Sequence, residues 1–135
     1  MGRRSKKVLT IVLILTLGLS AAFYVGLQTK LKEFREEISK IEIQEIDLSK
    51  IADGIYQGEY YVNDLVGAVV NVTVKNNKIA AINFVEHKNG KGKKAERITD
   101  SVINGQSLQV DVISGATGSS TIILKAIENA LEKGL

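Results

Sequence analysis

Hydroxyls and glycines crowd one short stretch of this 135-residue chain, VDVISGATGSST at residues 110–121. Ser114, Thr117 and Ser119 offer nucleophilic or hydrogen-bonding oxygens, and Gly115, Ala116 and Gly118 add almost no bulk. Asp111 is the nearest acid and His87 the chain's single imidazole. A hydrolase could combine Ser114 or Ser119 with His87 and Asp111, but no spacing supports that triad. Thr117 fails the nucleophile-elbow pattern, because Ser119 stands where that pattern needs glycine. The phosphate-binding pattern G-x-x-x-x-G-K-[ST] has no match. What the stretch does suit is an anion. An apolar run, a small-residue turn and a patterned helix follow one another. The first N–H groups of a helix lack intrahelical partners and its dipole is positive there. Glycine lets a ligand come close to the backbone. A phosphate-bearing ligand fits these residues, and the plainer alternative is that Ser119 or Ser120 caps a helix after a tight turn.

Composition narrows the rest. There is no Cys, which excludes disulfides, thiolate metal sites and cysteine catalysis. With one His besides, a transition-metal site is not expected. The net charge of +3 is misleading, since Arg3, Arg4, Lys6 and Lys7 precede any fold. Beyond them 14 basic residues face 15 acidic ones, a balance of −1, so no nucleic-acid partner is expected.

Residues 1–7 form a basic tail. Residues 8–27, VLTIVLILTLGLSAAFYVGL, carry no charge and at 1.5 Å per residue span roughly 30 Å, enough to cross a bilayer. The basic cluster ahead of them places the tail in the cytosol and the bulk of the chain outside it. The competing reading is a signal peptide cleaved near Ser20-Ala21-Ala22, which exports the domain equally. Residues 28–46 read as a helical stalk and linker, with an apolar stripe at Leu27, Leu31, Phe34, Ile38 and Ile41 that turns extended from Ile41. That stripe could pair with a second copy or pack on the domain.

Residues 47–135 read as one small α+β domain. Strands are expected at 55–62, 68–75 and 78–86 as an antiparallel meander, with Val70, Val72 and Val74 on one face and a hairpin turn at Asn76-Asn77. The run KNGKGKK at 88–94 reads as a flexible basic loop. Solvated charge is its ordinary role, and docking an acidic partner or bracing a phosphate are the alternatives. A helix is expected over 95–104 with Gly105 past its end, then a short strand at 109–113. A last helix is expected from Ser119 or Ser120 to about Lys133. Its apolar stripe is 122, 123, 126, 127, 130 and 131, and Lys125, Glu128, Asn129 and Glu132 take the outer face.

The chain resembles FMN-binding domains. Asp111-x-x-Ser114-Gly115-Ala116-Thr117 matches their D-x-x-[ST]-G-A-T flavinylation motif, a pattern expected by chance in roughly a few per ten thousand chains of this length. Asp53-Gly54-x-Tyr56-x-Gly58 is similar to the family's opening. The Asn77-Lys78-Ile79 hairpin, the Glu86-His87 pair and the closing AIENAL at 126–131 also fit. The resemblance covers about residues 47–133. Related domains occur within the Na⁺-translocating NADH:quinone oxidoreductase, within Rnf complexes and in small exported flavoproteins. Two positions depart from the pattern: 88–96 lacks the proline-containing stretch of many relatives, and Gly118 stands where many carry a bulkier residue.

The resemblance implies a covalent cofactor. A flavin transferase using FAD and Mg²⁺ would join FMN through a phosphoester to Thr117. Ser114, Gly115, Ala116, Gly118 and Ser119 would line the attachment site, and Asp111 would serve recognition by the transferase or brace the turn. His87 would lie near the isoalloxazine ring or at a plain strand end. Tyr56, Tyr60 and Tyr61 would be ring neighbours or ordinary sheet residues. The expected role is electron transfer by a single-pass membrane protein with its C-terminal domain outside the cytosol. Membrane quinol or redox proteins would be its partners. The other readings are an exported module binding flavin non-covalently as a sensor, and a structural adaptor whose turn is only a helix cap.

Overall fold

A computed structural model describes residues 2–88 and 92–135. The chain divides into two compact units, residues 1–36 and 37–135. The first consists of most of one uninterrupted helix, α1 (Arg3–Ser39), so the expected stalk continues the apolar helix without a break. At 37 residues α1 is about 55 Å long. Its apolar stretch is fully solvent-facing, with Leu13, Leu17 and Phe23 all exposed, which is how a lipid-facing helix reads without lipid. It is the one helix among the described residues long and apolar enough to cross a membrane.

The second unit is α+β, as expected. Three strands, β1 (Gly54–Asn63), β2 (Val66–Lys75) and β3 (Lys78–Lys88), form an antiparallel sheet in the order β1-β2-β3. Asn76 and Asn77 adopt left-handed φ of 51° and 59°, the pair that a two-residue hairpin requires. Asp53 Oδ1 accepts from Asn76 N at 2.8 Å and fixes that turn. A 3₁₀ helix (Lys93–Arg97) leads into α2 (Ile98–Gly105), and α3 (Thr117–Glu132) closes the unit. Val70, Val72 and Val74 are buried as the alternation requires. All six residues of the α3 stripe are at most 1% exposed. Burying each Ile or Leu contributes roughly 1.5–3 kcal/mol, so α3 is the element that anchors the sheet.

α3 runs antiparallel to β1 at very close range. A Cβ on Gly58 would lie 2.0 Å from Ala126 O and 2.3 Å from Ala130 N. Lys133 Nζ donates to Gln57 O and Asn129 Nδ2 to Glu59 O, pinning the helix along that strand.

Four local expectations are corrected. Residues 109–113 are irregular, because their neighbour is the extended 41–47 segment, reached by side-chain bonds and not by a strand ladder. Ser107 Oγ donates to Glu45 Oε2 at 2.8 Å, and Gln109 Nε2 to Ile43 O at 3.0 Å. The helix expected at 95–104 is a 3₁₀ turn followed by α2, and α2 includes Gly105. Gln106 takes the left-handed position instead, at φ 51°. Its amide donates to Ile79 O and Ile103 O and accepts from Ile79 N, three bonds that offset the strain of the conformation. α3 begins at Thr117, not at Ser119 or Ser120. Finally Glu128, expected on an exposed face, is 1% exposed. The 41–47 segment covers it: Glu128 accepts from Gln44 N at 3.2 Å and from Lys125 Nζ at 2.8 Å, while Lys125 also donates to Glu42 O.

Candidate functional site

The turn ahead of α3 is built by backbone chemistry. Ala116 N donates to Ile113 O at 2.9 Å, enclosing Ser114 and Gly115. Gly115 has φ +72°, the left-handed value that the third position of a type II turn demands and that glycine adopts without strain. The helix then starts after Ala116, which has no capping side chain. Ser120, fully buried, works behind the turn: its Oγ accepts from Ile113 N at 3.0 Å. Ser119 is buried too. Neither hydroxyl caps the helix, so the capping explanation for this hydroxyl-rich turn does not hold. The N–H groups of Thr117, Gly118 and Ser119, the first in α3, are of the kind no intrahelical carbonyl can satisfy.

Solvent access separates these residues. Ser114, Gly115 and Thr117 are exposed, and Gly118 is half-buried. Ala116, Ser119 and Ser120 face inward. Among the described residues Thr117 Oγ has no hydrogen-bond partner, while its carbonyl accepts from Thr121 Oγ at 3.0 Å. Asp111 is exposed as well, at the start of the segment that leads into the turn.

The other candidates lie elsewhere. His87, near the end of β3, has a side chain only 4% exposed. Its Nδ1 is 2.9 Å from Glu96 Oε1, and its ring stacks on Phe84 at 5.4 Å. With Glu96 a carboxylate, Nδ1 is the donor. His87 therefore grips the 3₁₀ helix. Tyr56 belongs to the far end of α3: its hydroxyl donates to Ala52 O at 2.8 Å, and its ring lies against Gly134. Sixteen residues of helix, about 24 Å, separate that end from Thr117. Tyr61 is on the sheet's other face, covering Gly67 and donating to Glu86 Oε2 at 2.5 Å. That bond to a carboxylate pushes its phenol up to about 12. Tyr60 shares Gly58's face with Tyr56 but lies on the other side of Gly58 along β1, toward the N-terminal half of α3.

One contact was not singled out from the sequence. Lys94, in the 3₁₀ helix, lays its ammonium over Gly115, where a Cβ would come within 2.6 Å of Nζ. Its only sequence signal was membership of the basic run at 88–94, of which 89–91 fall outside the described residues.

An exposed threonine at the first position of a helix, a bulk-free turn with backbone donors, and a cation above it are groups chemically suited to an anion such as a phosphate. Residues 65–132 match the family model for the FMN-binding domain. The chain belongs to the FMN-binding domain family. Over 66 residues it is 39% identical to an NADH:acrylate oxidoreductase of Vibrio harveyi. That alignment covers 47% of this chain and 7% of that protein, so the chain corresponds to a small part of its relative. No solved structure matches. The matched stretch contains β2, β3, α2, the turn and α3, that is, every residue of the site.

The residues present fit FMN. The absence of a side chain at Gly115 lets the Lys94 ammonium lie directly over the turn, and the donor set there is backbone N–H, hydroxyl and ammonium, all suited to a phosphate.

Proposed function

We propose that this FMN-binding domain carries its flavin covalently, through a phosphoester on Thr117, as an electron carrier tethered to a membrane by α1. The observation that carries the reading is the state of Thr117. It is exposed, its Oγ has no partner among the described residues, and it opens a helix whose dipole favours a phosphodiester anion. A hydroxyl that served only the fold would be capping or buried, as Ser120 is.

In attachment, the Thr117 oxygen attacks the flavin-side phosphorus of FAD. The P–O–P bond breaks, AMP leaves, and the hydroxyl proton passes to a base on the transferase. Nothing is oxidised or reduced. The domain supplies no base of its own. It presents the hydroxyl and holds the product's negative charge at the helix N-terminus. The bound flavin would then supply one- and two-electron chemistry. The oxidoreductase name of the Vibrio relative supports a redox role, and quinol or a redox protein would be the donor. The cluster RRSKK ahead of the apolar helix favours an extracytosolic domain. There a covalent bond prevents loss of the cofactor by diffusion.

Co-expression of the full chain with an active flavin transferase tests this. The wild type gains the mass of FMN minus one water and fluoresces in a denaturing gel, and Thr117→Val does neither. Flavin that leaves on denaturation would instead favour the non-covalent module.

A further inference from the structure

The turn at 113–116 and the 3₁₀ helix at Lys93–Arg97 are brought together by the fold, and the reason lies in three anchors. Ala95 and the following Ile98 are fully buried, and Glu96 is tied to the buried His87 side chain at 2.9 Å. A lysine beside such anchors has its backbone fixed. The stem of Lys94 lies along Gly115, with Nζ 2.6 Å and Cε 3.5 Å from where a Cβ would stand. Lys93, its neighbour, is an exposed cation with no such placement. The ammonium therefore occupies the open side of a turn whose next exposed hydroxyl, two residues on, is Thr117.

Resting on the phosphoester reading above, we infer that Lys94 is the positioning residue for the flavinyl phosphate, pairing its ammonium with the phosphodiester anion on Thr117. The two charges are complementary, and the anion is held between a point charge and a helix N-terminus. Gly115 belongs to the same device, because any side chain there would displace Nζ. Lys94 touches the linkage and not the ring, so its effect is on attachment and on how tightly the flavin is held. The pair is solvent-accessible, and exposed pairs contribute modestly, about two- to fivefold in an equilibrium or rate.

The test uses the full chain in detergent, loaded by co-expression with flavin transferase. Wild type, Lys94→Gln, Lys94→Arg and Lys93→Gln are compared by ³¹P NMR of the phosphodiester and by flavin fluorescence anisotropy. The initial rate of labelling is measured with purified transferase and FAD. The pairing predicts a moved ³¹P resonance, lower anisotropy and labelling slowed about two- to fivefold in Lys94→Gln. Lys94→Arg restores these toward wild type, and Lys93→Gln changes none of them. An unmoved resonance and unchanged anisotropy in Lys94→Gln overturn the inference. Complete loss of labelling in Lys94→Gln supports it if Lys94→Arg restores labelling, since only charge was returned, and overturns it if Arg does not. A wild type that takes no flavin, while the transferase labels a known substrate, overturns the covalent reading itself and this inference with it.

Discussion

The two ends of α3 are built for opposite purposes. The C-terminal end is tied to its neighbours: Tyr56 lies against Gly134, Lys133 holds β1, and Ile51 packs against Gly134. At the N-terminal end Ser114, Gly115 and Thr117 face solvent, the cap has no side-chain bond, and the hydroxyl of Thr117 is unpartnered among the described residues. The helix and the sheet beneath it are the same, yet one end is closed and the other open. A helix N-terminus left uncapped normally costs about 1 kcal/mol. The buried body of the helix supplies stability that offsets this cost, and in the proposed function the phosphodiester anion would take the cap's place.

The largest expected effect is at the closed side: Gly58→Ala drives a methyl into the backbone of α3 and destabilises the domain by about 3 kcal/mol or more, read as a lower unfolding midpoint by near-UV circular dichroism. The same measurement on Lys125→Met leaves Glu128 buried with only Gln44 N as partner and costs about 2–3 kcal/mol. At the open end Thr117→Val removes an exposed hydroxyl and changes the stability by less than about 0.5 kcal/mol, while abolishing labelling. If Thr117→Val unfolds the domain as Gly58→Ala does, the two ends are not divided as described.

The smallest effect concerns the sheet face away from α3. Tyr61 donates to Glu86, which holds its phenol up at about 12 against an ordinary 10.0. Its contribution to stability is therefore full below pH 10 and lost as pH rises through 12. Phenolate absorbance should show one tyrosine titrating last, and Glu86→Gln should return it to the ordinary range. This change leaves flavin attachment untouched.

What the sequence revealed follows the range of the interactions. Alternation in AVVNVTVK and the Asn76-Asn77 pair are local, and both the sheet and its turn form as read. The apolar stripe of α3 is local too, and all of it is buried. Glu128 looked solvated because the partner that covers it, Gln44, is 84 residues away. A buried Lys–Glu pair at i, i+3 is indistinguishable in sequence from a surface one. Gly58 belonged to a resemblance motif, but only the structure shows that the motif's glycine admits α3 and that its Tyr56 serves the closed end. The tight turn at 113–116 was legible from its small residues, whereas the place of Lys94 over Gly115 was not, since it depends on how Ala95, Glu96 and Ile98 are anchored.

In the proposed function one hydroxyl, at the open end of α3, carries the cofactor. Trypsin should release residues 98–125 as one peptide, since no Lys or Arg lies between Arg97 and Lys125. That peptide holds Ser114, Thr117, Ser119, Ser120 and Thr121 together. Tandem mass spectrometry of the peptide from flavinylated protein should place the phosphoester on Thr117 alone. Flavin on Ser114 or on any other hydroxyl of the peptide would contradict the assignment to Thr117.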